Sequence, residues 1–197
     1  MSDEETRWEE YYKKIQGRAP RPLIMDVLEK YPTVDSLHAI DLGCGDGTET
    51  VVLLSRGWNV LAMDGTHAAI ERLMEKVPRD AQVRLQTQVA MFKDVTLPQT
   101  DLIHASLSIP FCHPDHFPAL WKKITNALNP GGRFAGHFFG VNDSWADDPE
   151  MNFHTEEGVR TLLDGLEIEY FHERDEDGDA TSGPKHWHMF TVIARKM

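Results

Sequence analysis

The 197-residue chain carries 32 acidic against 20 basic side chains, a formal net charge of −12 with histidine neutral. With 41% hydrophobic and 26% charged residues, it is not a disordered chain, and a domain of this length buries ~70% of its unfolded surface without staples. No Lys/Arg cluster offsets the acid excess, which excludes a surface built to neutralise nucleic-acid phosphates.

Cys44 and Cys112 are the only cysteines, too few for a disulfide framework or a zinc site by themselves. The first ten residues are acidic and polar, unlike a basic-then-apolar leader. No run approaches ~18 consecutive apolar residues. These features predict a cytoplasmic protein with no membrane partner. The acidic blocks at Asp3–Glu10, Asp143–Glu150 and Glu173–Asp179 read as solvated surface.

Along the chain, Trp8, Tyr11, Tyr12 and Ile15 share one face of a helix. Gly17–Pro22 breaks it, and a second helix carries Leu23, Val27 and Leu28 before stopping near Tyr31-Pro32. Strands and helices then alternate: a strand over Leu37–Leu42, a helix over Thr48–Arg56, a strand over Asn59–Met63, a helix capped by Thr66, a weak strand over Val83–Thr87 and a fourth over Asp101–Ser106. Phe117, Leu120, Trp121, Ile124 and Leu128 mark an amphipathic helix that Asn129-Pro130-Gly131-Gly132 ends sharply. A fifth strand, Arg133–Phe139, and a helix over Thr155–Leu163 follow. Leu166–Phe171 and Trp187–Ala194 predict an antiparallel hairpin whose long acidic tip, Glu173–Pro184, lies away from any pocket.

This alternation predicts an α/β, Rossmann-like doubly wound sheet of seven strands, mostly parallel with an antiparallel C-terminal strand and helices on both faces. Residues 1–197 form one domain, with 1–32 as a helical cover and 33–197 as the core. Such sheets bind ligands beyond the carboxyl ends of their strands.

The strongest signal is Asp41-Leu42-Gly43-Cys44-Gly45-Asp46-Gly47-Thr48, where the first strand turns into a helix. Alternate glycines allow positive φ and close approach of backbone to a ligand. The dinucleotide pattern G-x-G-x-x-G is not met, because Thr48 stands where its third glycine would be. Asp41 sits badly beside a pyrophosphate and suits a ligand ammonium. Seventeen residues past Gly47, Asp64 ends the second strand, where a carboxylate accepts hydrogen bonds from ribose hydroxyls.

These residues resemble the first motif of the class I S-adenosylmethionine-dependent methyltransferases, acidic–x–Gly–x–Gly–x–Gly. Asn129–Arg133 resembles that family's Leu-x-Pro-Gly-Gly turn, and the terminal hairpin its reversed last strand. Within the family the chain most resembles small bacterial domains of the tellurite-resistance or thiopurine type. The resemblance implies that S-adenosylmethionine is bound and S-adenosylhomocysteine released. It implies Gly43, Cys44 and Gly45 along the methionine part, Asp41 at the ammonium, and Asp64, Gly65 and Thr66 at the ribose. Met91 and Phe92 lie at the adenine, and Ala105, Ser106 and Leu107 face the sulfonium. On the N-terminal helix and its break, Tyr12 offers its ring face to the sulfonium and Arg18 a fork for the cofactor carboxylate.

Catalytic residues are not named by the pattern; His137, His113 and Tyr12 are candidates for a base, with His104 and His154 also near strand ends. Phe111, Phe138, Phe139 and Trp145 are candidates for an apolar acceptor wall. The pairs His113/His116 and His186/His188 lack the ligand count of a zinc site, so no metal is expected. The expected function is methyl transfer to a small-molecule acceptor by a monomer or homodimer. A nicotinamide-dependent oxidoreductase and a non-catalytic binder of the same cofactor are the rival readings.

Overall fold

The computed structural model describes residues 3–31 and 36–197, with side chains from Trp8 onward. Pro32, where the second helix is expected to stop, and the expected boundary at 32/33 lie outside the described residues. The elements in chain order are α1 (Asp3–Lys14), α2 (Pro22–Leu28), β1 (His38–Leu42), α3 (Thr48–Ser55), β2 (Asn59–Asp64), α4 (His67–Lys76), β3 (Leu85–Val89), β4 (Thr100–Ala105), α5 (Phe117–Ala127), β5 (Leu128–Gly140), β6 (Phe153–His154), α6 (Glu156–Leu162), β7 (Leu166–Ala180) and β8 (Gly183–Lys196).

The strands form one sheet in the order β3-β2-β1-β4-β5-β8-β7, with β6 paired to β5. All pairs among β1 to β6 are parallel, and β8 runs antiparallel to both β5 and β7. The expected mostly parallel Rossmann-like sheet with a reversed last strand is therefore present, enlarged by the two-residue strand β6. Strand order reverses between β1 and β4, which opens a crevice at their carboxyl ends.

Period two sorts the strand residues onto two faces. Ile40, Leu42, Ile103, Phe134 and Phe138 pack beneath α5 and α6. Ala39, Val60, Leu102 and Ala135 pack beneath α2, α3 and α4. Caps agree with sequence: Thr66 Oγ1 accepts from Ala69 N at 3.2 Å and Thr155 Oγ1 from Gly158 N at 3.0 Å.

Three expectations need correction. The third strand lies at Leu85–Val89, because Val83 sits in a short 3₁₀ turn and is 84% exposed. The Asn129–Gly132 turn is a bulged start of β5: β4 advances from Thr100 to Leu102 while β5 advances from Leu128 to Arg133, with Gly131 at φ +81°. The acidic stretch is no loop. Strands β7 and β8 pair from Leu166↔Lys196 to Ala180↔Gly183, leaving a two-residue turn at Thr181-Ser182. Carboxylates and histidines pair along this ladder. His186 Nδ1 and Nε2 lie 2.7 Å from Asp177 and Asp175, and His188 Nε2 lies 2.9 Å from Glu173.

The turn after β1 combines a left-handed backbone with close packing. Gly47 has φ +78°, and a Cβ there would lie 2.4 Å from Leu73 Cδ1 and 3.0 Å from the Leu73 backbone. Gly47→Ala should therefore lose about 1–3 kcal/mol of stability, read as a fall of several degrees in Tm; an unchanged Tm would contradict this α3–α4 contact.

Two histidines, His137 buried and His154 half-buried, set an acid limit. Burial lowers His154 to about 4, and burial with the nearby Arg21 and His104 lowers His137 to about 3. Both folded-state values lie below the unfolded value of ~6.5, so the unfolded chain takes up protons first. Their stabilisation is complete above pH 6.5 and is lost as pH falls toward 4 and then 3, by up to ~1.4 kcal/mol per pH unit for each. Urea midpoints between pH 7.5 and 4 should fall accordingly, and His154→Gln should flatten the upper part of that slope.

Candidate functional site

A cavity of about 1020 Å³ opens at the carboxyl ends of β1, β2 and β4, walled by α1, the loop after β5 and the tip of the β7–β8 hairpin. The glycine turn forms its floor. Gly43, Gly45 and Gly47 have φ of +78°, +54° and +78°, conformations that side chains with a Cβ rarely adopt. Gly43 N and Cys44 N donate to Met63 O at 2.8 and 2.9 Å, stitching the turn to β2.

Asp64 is the organising carboxylate. It is 9% exposed and accepts from Thr66 N at 3.0 Å, Thr66 Oγ1 at 3.1 Å and Gly45 N at 3.0 Å. Tyr12 OH, from α1, approaches to 3.4 Å. Burial raises its pKa against the lowering effect of these donors. The sequence pairing of the glycine turn with Asp64 is thus a direct contact, and Tyr12 closes over both.

Asp41 is buried at the other side of the turn. Thr50 Oγ1 donates to its Oδ2 at 2.5 Å, and His104 Nδ1 lies 3.0 Å from its Oδ1. The two residues are direct neighbours in the β1–β4 ladder. His104 Nε2 is buried with no hydrogen-bond partner among the described residues, and both residues line the cavity. Sequence reasoning singled out Asp41 but not this dyad; parallel register between two strands is not visible in spacing.

Arg18 lines the cavity, but both arms of its fork engage the two oxygens of Glu49. Arg21 N adds a bond to Glu49 at 3.0 Å. Burial pushes the Glu49 carboxyl up, yet the hydrogen bonds and charge of Arg18 outweigh it and bring it to about 2. Lys76 Nζ pairs with Asp46 Oδ2. Glu49 escaped sequence reasoning, although its place in the first turn of α3 beside the glycine motif was a signal.

The other expected site residues divide cleanly. Gly65, Thr66, Met91, Phe92, Ser106 and Leu107 line the cavity, joined by Ala90 and Ser108. Ala105 does not; it is fully buried in the sheet core. Phe111, Phe139 and Trp145 line the cavity, whereas Phe138 packs in the core. Among the candidate bases, His113 and His137 are not in the wall. His137 lies behind it, its Nδ1 accepting from Leu107 N at 3.3 Å. His113 lies beside Asp115 and Glu150 at the surface. Tyr12 is in the wall, but burial and the Asp64 charge raise its pKa, so the phenol keeps its proton near neutral pH.

The hairpin tip, expected far from the pocket, reaches it. Asp179, Ala180, Thr181 and Ser182 line the cavity, and Lys14 Nζ donates to Thr181 O at 3.3 Å, tying α1 to the tip. Behind the far wall, Lys185 and Asp143 form a buried ion pair. The Lys185 ammonium lies 4.0 Å from the Trp145 ring centre and 4.6 Å from that of Trp187. Glu173, Asp175 and His188 cluster on the hairpin with metal-like spacing. His188 Nδ1, however, accepts from Asn142 N at 2.9 Å, so Nε2 carries the ring proton and donates to Glu173.

Residues 39–132 match the family model described as "Methyltransferase domain". The chain is 28% identical over 133 residues to a carboxy-S-adenosyl-L-methionine synthase of Citrifermentans bemidjiense, covering 64% of this chain and 53% of that one. It is 29% identical to a trans-aconitate 2-methyltransferase of Paracidovorax citrulli, covering 63% and 46%. It thus spans about half the length of these curated relatives. Among solved structures, TehB from Haemophilus influenzae superposes with a TM-score of 0.76 at 19% identity, covering 95% of this chain and 66% of that one. That likeness concerns the fold. Motif, sheet order and family match coincide on the same strands: residues 39–132 are similar to a methyltransferase domain, and the glycine turn they contain resembles that of the class I, S-adenosylmethionine-dependent family.

Proposed function

We propose that the chain binds S-adenosylmethionine in this cavity and transfers its methyl group to a small-molecule acceptor. The observation that carries the reading is the buried Asp64 carboxylate, held by Gly45 N and Thr66 N at the end of β2 and lining the cavity beneath the Tyr12 hydroxyl, the weakest of its donors at 3.4 Å. This is the acceptor that a pair of ribose hydroxyls requires.

The donor set of the wall fits the rest of the cofactor. Gly43–Gly45 would pass along its methionine part, Ala90, Met91 and Phe92 would pack on adenine, and the unpartnered His104 Nε2 beside Asp41 would serve its amino-acid end. S-adenosylmethionine supplies an activated methyl whose carbon–sulfur electron pair returns to sulfur as the acceptor takes the carbon. The protein's contribution is alignment of the acceptor and exclusion of water. Ser106 and Leu107, at the end of β4, would flank the methyl path, with His137 bracing Leu107 from behind. Tyr12 closes the cavity without acting as a base, since its phenol stays protonated.

The unpaired Cys44 and Cys112 support a reducing, cytoplasmic setting. Among the described residues no helix is long and apolar enough to cross a membrane. Residues 1–197 are read as one domain, with the segment up to 32 as cover, acting as a monomer or homodimer.

Asp64→Asn should weaken S-adenosylhomocysteine binding at least about tenfold while leaving the fold intact, because a charge-assisted acceptor of ~1.5–3 kcal/mol is lost. Calorimetry with S-adenosylhomocysteine and with NADH checks it. Unchanged affinity in a folded variant, or tighter binding of NADH by the wild type, would overturn the reading.

A further inference from the structure

The cavity has a second end that the cofactor residues do not account for. Phe111, Phe139, Trp145 and Trp187 all contribute to its wall. Trp145 has ring centres at 6.4 Å from Phe111, 6.0 Å from Phe139 and 6.0 Å from Trp187. Trp8 of α1 meets Phe111 edge-on at 4.9 Å, joining the cover helix to the group. Four aromatic side chains facing one space offer flat apolar surface and few hydrogen-bond partners, which suits a planar ring.

The cavity-lining carboxylates nearest these rings have no ion-pair partner of their own among the described residues. Asp147 and Asp148 follow Trp145 in the loop after β5, and both line the cavity. Asp179 lines it too, with its carbonyl accepting from Trp187 Nε1 at 3.2 Å. The neighbouring cations are committed elsewhere. Lys185 is buried against Asp143, Arg18 and Arg21 serve Glu49, and Lys14 is drawn to the Thr181 carbonyl. An anionic ligand would find the Lys14 ammonium set against three carboxylates, whereas an ammonium would be drawn to all three.

We propose that the methyl acceptor is an arylalkylamine, its planar aromatic ring lodged among Phe111, Phe139, Trp145 and Trp187 and the ammonium of its aliphatic side chain drawn to Asp147, Asp148 and Asp179. This rests on the cavity being a methyl-transfer site. The reacting form is the neutral amine: its lone pair forms the new carbon–nitrogen bond, the carbon–sulfur bond breaks with its electrons going to sulfur, and the nitrogen's proton leaves to water. Carboxylate and oxyanion acceptors are disfavoured.

The test uses tryptamine and indole-3-propionate, which share a ring system and side-chain length and differ in charge. Calorimetry on the full chain at pH 7.5 and low salt, saturated with S-adenosylhomocysteine, should show tryptamine binding at least tenfold more tightly. Asp147→Asn combined with Asp148→Asn should shrink that preference at least fivefold by weakening tryptamine alone. Propionate binding as tightly as tryptamine, neither compound binding, or a preference unmoved in the folded double variant would overturn the proposal. If S-adenosylhomocysteine itself does not bind, the methyl-transfer reading fails, and the same pair measured on the unloaded chain still decides the charge preference of the cavity.

Discussion

Three left-handed glycines hold this architecture together. A Cβ at Gly43 would lie 2.3 Å from Ser108, one at Gly45 3.3 Å from Tyr12, and one at Gly47 2.4 Å from Leu73. Those three neighbours come from the loop after β4, from α1 and from α4. The turn is therefore the point where the sheet, its cover helix and its second crossover helix all close on bare backbone. The positive φ values and the absence of side chains are one requirement: the chain must reverse sharply at the strand end while three elements come within van der Waals reach. Because the turn is fixed this way, Gly45 N points at Asp64 and the floor of the cavity is set before any ligand arrives.

Electrostatics follow from that closure. Burying Asp41, Asp46, Glu49 and Asp64 around one turn would be prohibitive without partners. The chain supplies them locally: Thr50 and His104 for Asp41, Lys76 for Asp46, Arg18 for Glu49, and backbone donors for Asp64. Cations are spent within the floor, so the remaining wall stays acid-rich. A cofactor carrying a sulfonium and an ammonium gains from such a wall, and so does a cationic acceptor. The net charge of −12 is in part the outer face of the same imbalance.

Much of this was legible in sequence where the physics is local. Alternate glycines after an apolar run, Thr66 before a periodic segment, and the stripe of Phe117, Leu120, Trp121 and Ile124 each encode their element within a few residues. What was missed depends on register between distant strands. The Asp41–His104 dyad exists because residues 63 positions apart are opposite one another in β1 and β4. The acidic hairpin was misread because Asp and Gly have low strand preference. Yet Glu173, Asp175, Asp177 and Asp179 alternate, as do His186 and His188, and cross-strand charge pairing overrides that preference. The pull of Arg18 onto Glu49 is likewise a tertiary outcome: the fork expected for a ligand carboxylate found an internal one first.

The two ends of the cavity draw mostly on different parts of the chain. Asp41, the glycine turn, Asp64, Met91 and Ser106 all fall within residues 39–132, the span that matches the family. Trp8 precedes it, and Phe139, Trp145, Asp147, Asp179 and Trp187 follow it. On the proposed reading the cofactor end is built mainly by the parallel strands, whereas the aromatic and acidic end joins Phe111 after β4 and Phe139 of β5 to the cover helix, the loop after β5 and the β7–β8 hairpin. The buried Lys185–Asp143 pair joins that hairpin to that loop behind the aromatic rings. Removing one partner would leave a charge buried beside Trp145 and Trp187, so the pair fixes the shape of the acceptor end without facing it. An acceptor, on the proposed reading, would accordingly be selected by this chain's own aromatic and acidic wall.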